Sequence, residues 1–140
     1  MQKATARWAG KKVEFVVEAA SGHQADVDEP PLLGDDDGMR PTEMLLGALG
    51  SCTGINAVLL LKKFKQAYRT LAVECEGDQQ DDWPHAFTAI RIRFVIGWEP
   101  GFAPDPELVD KALDMACNRY CPVDATLTHG TGISFTRADA

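Results

Sequence analysis

The feature that most constrains this chain is an uncharged run of 18 residues, 44–61 (MLLGALGSCTGINAVLLL). Its length approaches that of a membrane span, but glycines and polar residues interrupt it and the sequence has only one such run. A helix that is apolar on all sides can equally be the core helix of a soluble protein. We therefore expect a buried central helix rather than a membrane segment. It should start near Pro41, because proline suits the first helical turn, and end at about Lys65.

Length and charge narrow the class of protein. The chain has 140 residues, 45% of them hydrophobic, which is enough for one domain with a sizeable core. Its net charge of −7 argues against nucleic acid or an anionic membrane as partner, because both attract cationic surfaces. Residues 1–12 lack the apolar stretch of a signal peptide. We expect a single cytoplasmic domain, residues 1–140, whose four cysteines are reduced thiols.

Strands are predicted on both sides of the central helix, where apolar and polar residues alternate. The predicted strands are residues 5–8, 13–19, 24–28, 71–76, 87–98 and 127–136. Residues 29–38 read as a loop. A second helix, residues 107–120, should begin after Asp105 and Pro106, because an acidic N-cap followed by proline is a favoured helix start. The prediction is an α+β domain with antiparallel sheets around a buried central helix.

Small residues in the central helix bear on assembly. Gly47, Gly50 and Gly54 each destabilise a helix by up to ~1 kcal/mol relative to alanine, and Ser51 lies among them. Small residues allow another backbone to approach closely. We expect two copies of this helix to pack at the centre of a homodimer. The alternative is that the helix packs against the sheet and second helix of its own chain.

The cysteines are the residues most able to carry chemistry. Cys52 lies inside the uncharged run, and Cys121 opens the sequence CPV after the second helix. Two thiols can bond only if their Cα atoms lie roughly 4.4 to 6.8 Å apart, which sequence spacing does not determine. Cys117 is a rival partner for Cys121, although a four-residue spacing within a helix disfavours a disulfide. Cys75 falls on a predicted strand and reads as core.

Metal and cofactor motifs give weaker indications. The histidines His23, His85 and His129 have no metal-ligand spacing to one another or to the cysteines. A zinc site from Cys117, Cys121 and a histidine is the metal-binding alternative. We expect neither a metal nor a cofactor.

Several segments together resemble a known family. The sequence PTEMLLGALGSCT at residues 41–53, with the later CPV at 121–123, resembles the OsmC and organic hydroperoxide resistance family. The segments ATARWAG at 4–10 and PHAFTAI at 84–90 fit it as well. The resemblance implies an intertwined homodimer with two sites at the subunit interface and no metal or bound cofactor. Its enzymatic members reduce organic hydroperoxides or hydrogen peroxide, and by position Cys52 would be the peroxidatic cysteine and Cys121 the resolving cysteine.

The chain departs from that pattern at the groups that should activate the thiol, and in this it resembles a less characterised branch. Family peroxidases carry a glutamate beside the proline, where this chain has Thr42 and places the acid one position later, at Glu43. Glu43 would lie on the opposite face of the helix from Cys52, roughly 13 Å away, reaching it only across a dimer or after a bend. The family's activating arginine is missing from the upstream loop. Arg40 is the nearest substitute, and the other candidates are Arg7 and Arg119.

The leading hypothesis is reduction of hydroperoxides, organic ones above all, by Cys52 and Cys121 with the help of Arg40 and Glu43. An external thiol would reset the pair. One alternative is a dimer that binds a small apolar ligand without catalysis. The other is a thiol redox sensor that forms the disulfide without rapid turnover.

Overall fold

A computed structural model describes residues 1–134 and 136–138. Over these residues the chain forms five strands and three helices in the order β-β-β-α-β-β-α-α. Helices combined with antiparallel sheets confirm the predicted α+β class. The chain divides into two compact units, Met1–Leu46 and Gly47–Ala140, and each is described by itself.

The N-terminal unit contains a three-stranded antiparallel sheet. Its strands are β1 (Ala4–Trp8), β2 (Phe15–Ala19) and β3 (Gln24–Val27), hydrogen-bonded in that order. Gly10 turns the first hairpin with φ +84°, a conformation that glycine adopts without strain. The predicted hairpin and the predicted short third strand are both confirmed.

The loop after β3 is organised around one buried carboxylate. The side chain of Asp28, only 2% exposed, accepts hydrogen bonds from the backbone N–H groups of Glu29 (2.8 Å), Asp35 (3.0 Å) and Asp37 (3.1 Å). These bonds lower the pKa of Asp28, the one from Asp35 most. Gly34 is required here, because a Cβ would lie 2.2 Å from the Glu29 carbonyl oxygen. The predicted loop is thus an ordered turn that leads into helix α1 (Pro41–Lys63).

The C-terminal unit contains most of α1, a two-stranded antiparallel sheet and two further helices. The sheet consists of β4 (Tyr68–Gln79) and β5 (Phe87–Trp98); α2 is Pro106–Asn118 and α3 is Pro122–His129. Arg91 and Arg93 lie on the exposed face of β5, as predicted, and form ion pairs with Asp78 and Glu74 of β4. Strand β4 is longer than predicted because its ends alternate less clearly.

The core of this unit lies where α1 meets α2. Ala57 and Leu61 of α1 and Ala112 and Ala116 of α2 are all fully buried and belong to one apolar cluster. Among the described helices, α1 alone is long and apolar enough to cross a bilayer. It contributes six buried residues to the protein interior: Leu49, Gly50, Thr53, Ala57, Leu60 and Leu61.

Two glycines of α1 face the sheet of their own chain. A Cβ on Gly50 would lie 3.2 Å from Sγ of Cys75, and one on Gly54 would lie 3.2 Å from Cγ2 of Val73. Packing against the chain's own sheet, the alternative to helix–helix packing between copies, therefore accounts for these two glycines. The homodimer stays a prediction.

The predicted final strand, residues 127–136, is wrong over the described residues. Residues 127–129 end helix α3, and residues 130–134 and 136 form no strand; Phe135 lies outside the described residues. A helix forms at residues 122–129 because Cys121 provides its start. The Cys121 sulfur accepts the Asp124 N–H, and Pro122 occupies the first helical position. The equivalent start predicted for α2 is confirmed, since Asp105 accepts N–H bonds from Glu107 and Leu108.

Candidate active site

The two cysteines singled out from the sequence lie in direct contact within the C-terminal unit. Sγ of Cys121 is 2.8 Å from Sγ of Cys52, and both are free thiols. A disulfide has an S–S distance of about 2.05 Å, so these sulfurs are less than an ångström from bonding distance. Cys121 is 3% exposed and Cys52 is half-buried. The structure thus brings together the two sulfurs whose proximity spacing alone could not determine.

Helix α1 and the start of α3 hold the thiols. Cys52 lies in the middle of α1, and Cys121 ends the short connection between α2 and α3. Within that connection, the Tyr120 N–H donates to the Met115 carbonyl of α2. The Cys121 sulfur then accepts the Asp124 N–H at 3.3 Å, so that one atom both caps a helix and faces Cys52.

The surroundings of Cys121 raise the pKa of its thiol. Burial raises its pKa above the ordinary value, and its hydrogen bond to Cys52 raises it further, while the Asp124 N–H acts in the opposite direction. A protonated Cys121 donates its S–H to the sulfur of Cys52.

The other two cysteines lie outside this contact, and their pKa values are also raised. Burial, aided by nearby negative groups, raises the pKa of Cys117 to about 11, and burial also raises the pKa of Cys75. Since the thiolate is the reactive form, neither thiol competes well near neutral pH. Over the described part of the chain, the sulfur that contacts Cys121 is that of Cys52, and not that of its sequence rival Cys117.

Arg40 and Glu43 contact each other at the start of α1. The Glu43 carboxylate accepts the Arg40 backbone N–H at 3.0 Å, which is the return bond of a helix capping box. The Arg40 guanidinium donates to the Gly38 carbonyl (2.9 Å) and pairs with Asp36 (2.7 Å). For the described residues, these contacts give both side chains a local structural role in the N-terminal unit. Their predicted part in activating Cys52 stays a prediction.

The two other candidate arginines also have local partners. Arg7 pairs with Glu18 across the N-terminal sheet at 3.3 Å. Arg119 lies over the ring of Tyr120, 5.3 Å from its centroid, two residues before Cys121. The four predicted site residues thus form two contacting pairs: Cys52 with Cys121, and Arg40 with Glu43.

Asn56 is a site residue that sequence reasoning missed. Its side-chain Nδ2 donates to the Cys52 carbonyl at 3.0 Å and to the Tyr120 carbonyl at 3.3 Å. The sequence does offer a signal for this role: Asn56 is an amide side chain within the uncharged run, one helical turn after Cys52. Only the fold reveals its second partner, 64 residues away.

One acidic cluster has the donor spacing of a metal site. Glu14, Asp28 and Asp37 bring carboxylate oxygens within 4.8 Å of one another in the N-terminal unit. The Lys11 ammonium lies 2.8 Å from Asp37 and 3.9 Å from Glu14, so this lysine already neutralises part of the cluster's negative charge. Asp28 in turn is engaged by three backbone N–H groups. The cluster is better explained as the organiser of its loop than as a metal site.

The surface of α1 beside Cys52 is apolar and accessible. Ile55 and Leu59 follow Cys52 at helical spacing, and they are 61% and 62% exposed. On the connection to α3, Tyr120 is 46% exposed. A half-buried thiol beside such side chains can be reached by a small apolar molecule.

The fold and the site define an α+β protein with a contacting dithiol, and comparison with known proteins gives the family. The description "OsmC-like protein" belongs to a family model that matches residues 34–136, more than half of the chain. The chain therefore belongs to the OsmC-like family. It is 29% identical to Protein YhfA of Escherichia coli (strain K12), over 94% of this chain and 93% of that protein.

Solved structures show the same fold. An OsmC-like protein from Mycoplasma pneumoniae is 18% identical with a TM-score of 0.76, over 91% of this chain and 86% of that one. An organic hydroperoxide resistance protein OsmC from Legionella pneumophila is 14% identical with a TM-score of 0.65, over 91% and 89%. At these identities the likeness establishes the fold alone.

Proposed function

We propose that this protein reduces hydroperoxides with Cys52 as the peroxidatic and Cys121 as the resolving cysteine. The observation that carries the proposal is the 2.8 Å contact between the two sulfurs. Family membership and the name of the Legionella relative support the reaction class.

The chemistry needs only this pair and two small molecules. The Cys52 thiolate attacks the hydroperoxide, an S–O bond forms, the O–O bond breaks, and the alcohol leaves with a proton. Cys121 then attacks the sulfenic acid; the S–S bond forms, the S–O bond breaks, and water leaves with the thiol's proton. An external dithiol returns two electrons and two protons by exchange and is itself oxidised to a disulfide.

The site's surroundings favour organic hydroperoxides. Ile55 and Leu59 give an apolar approach to Cys52, which suits an alkyl or aryl hydroperoxide better than hydrogen peroxide. The proposal includes a cytoplasmic location, where thiol reductants are available, and a homodimer that covers part of this surface.

Peroxide consumption tests the proposal. Cumene hydroperoxide and a dithiol reductant are mixed with the protein, and the remaining peroxide is measured over time. The wild type is expected to turn over and Cys52→Ser to be inactive. In the absence of the dithiol, Cys121→Ser should still consume about one equivalent, leaving a sulfenic acid where the wild type forms a disulfide. Cys75→Ser is the matched control and should behave as wild type. Equal turnover by Cys52→Ser would sink the proposal.

A cavity in the N-terminal unit favours a second candidate, binding of a small apolar ligand. The cavity has a volume of about 470 Å³, and its apolar lining includes Phe15, Val17, Leu33 and Met44. That size and lining are typical of small-molecule sites. A rise in Tm with apolar ligands, together with no peroxide consumption by the wild type, would favour this candidate.

A further inference from the structure

Asn56 connects the two segments that carry the reactive thiols. It lies one helical turn after Cys52 in α1, and its two bonds run to the carbonyl of Cys52 and to that of Tyr120, the residue directly before Cys121. A side-chain amide group carries two N–H donors, so it can serve both carbonyls at once. The bridge lies wholly within the C-terminal unit.

Among the described residues, the connection that Asn56 holds has two hydrogen bonds to α1: the one from Asn56 to Tyr120 and the one between Cys121 and Cys52. Between the end of α2 at Asn118 and the start of α3 at Pro122 there are three residues. Tyr120 is anchored to α2 by its N–H, through the Met115 carbonyl, and to α1 by its carbonyl, through Asn56. Its own carbonyl is one peptide bond from Cys121. A shift of Tyr120 would therefore move the Cys121 sulfur away from Cys52.

We propose that Asn56 is a positioning residue that sets how fast Cys121 attacks the oxidised Cys52. The inference rests on the proposed peroxide reaction. The Cys52 sulfenic acid has two fates: Cys121 displaces its oxygen as water, or a second hydroperoxide adds an oxygen to give the sulfinic acid and an alcohol. Asn56 controls the first fate and leaves the second unchanged.

The chain offers a matched pair of variants. Asn56→Leu removes both donors at similar volume, and Asn56→Asp keeps the shape but presents acceptors to two carbonyls. Asn118→Leu is the control: its Nδ2 bonds Asp114 on the exposed side of α2 and has no part in the bridge. Asn56→Ser, too short to span to Tyr120, replaces Asn56→Leu if that variant does not fold.

The first experiment measures how oxidised Cys52 is partitioned. Reduced proteins receive increasing cumene hydroperoxide, and mass spectrometry gives the ratio of disulfide to sulfinic acid. Loss of a hydrogen bond corresponds to roughly a tenfold change in rate, so Asn56→Leu should give about tenfold more sulfinic acid at equal peroxide. Sulfenic acid formation should keep its wild-type rate, and Asn118→Leu should match wild type. A wild-type ratio in Asn56→Leu would overturn the inference.

A second experiment does not depend on peroxide chemistry. Wild type and variants are equilibrated in mixtures of reduced and oxidised dithiothreitol, and the fraction of the Cys52–Cys121 disulfide is measured. Asn56→Leu should shift this equilibrium toward the dithiol by roughly tenfold, because it lowers the effective concentration of one thiol at the other. If the wild type consumes no hydroperoxide but Asn56→Leu still shifts the disulfide equilibrium, the proposed function is wrong and the positioning role of Asn56 is supported. If Asn56→Leu has the wild-type equilibrium, the bridge fails whatever the activity.

Discussion

At the residue scale, the four cysteines differ in the solvent exposure of their sulfurs and in the hydrogen bonds that these sulfurs form. Desolvation raises the pKa of Cys121, whose sulfur also contacts that of Cys52. It likewise raises the pKa of Cys117 and Cys75, which are partly buried. Apolar surroundings penalise the thiolate, so these two side chains remain protonated where an ordinary thiol has begun to ionise. The four cysteines thus comprise one contacting pair and two partly buried residues outside it.

Cys117 should make stability depend on pH in the alkaline range. Its pKa is about 11 in the folded chain against 9.0 ordinarily, so the unfolded chain loses this proton first as pH rises. The stabilisation is complete below about pH 9 and is lost as pH rises through about 11. Urea unfolding from pH 8 to 10.5 under reducing conditions should show a shallower decline for Cys117→Ala than for wild type. An identical decline would contradict the raised pKa, and Asn118→Ala, which removes no titrating group, is the control.

At the element scale, helix α3 depends on a sulfur for its start. Cys121 accepts the Asp124 N–H in place of the oxygen that usually caps a helix. Serine places a better acceptor at the same position, and alanine places none. The proposed resolving cysteine is therefore also the N-cap of α3, and substitutions made to test one property alter the other.

Cys121→Ser should consequently be more stable than Cys121→Ala. Replacing a serine N-cap with alanine costs about 1 kcal/mol, and α3 is short enough for its first turn to matter. The free energy of unfolding of the two variants, measured in urea under reducing conditions, should differ by about this amount in favour of serine. Equal stability would mean that the Asp124 N–H gains nothing from its cap. Serine is therefore the substitution to use in the peroxide experiment.

The cap also shows where sequence reasoning reached its limit. The helix start at Asp105 can be predicted because aspartate followed by proline is a familiar N-cap sequence, whereas a cysteine before proline is not. The polar and apolar residues after it alternate well enough to imitate a strand. Cys52 and Cys121 could be identified by resemblance, but their contact and the Asn56 bridge join positions about 64 to 69 residues apart. Local pattern carries no information about such pairs.

At the scale of the whole molecule, the exposed side of α1 is the feature that calls for a partner. Ile55 and Leu59 are both more than half exposed beside Cys52. Neighbouring large apolar side chains on a protein surface commonly mark an interaction site. A two-fold symmetric dimer could cover the same patch on both copies. Since Gly50 and Gly54 pack against the chain's own sheet, the expected contact between copies rests on these larger side chains rather than on the glycines.

We therefore expect the protein to be a homodimer in which Ile55 lies at the interface. Light scattering coupled to size-exclusion chromatography should give twice the 15.3 kDa of one chain for wild type. Ile55→Glu should give the mass of a single chain, because burying an unpaired carboxylate opposite its own symmetry copy is strongly unfavourable. Val95→Glu is the matched control: Val95 is 40% exposed on β5, two residues after Arg93, and its variant should keep the dimer mass. A monomeric wild type, or an Ile55→Glu variant that stays dimeric, would show that this face of α1 does not join two copies.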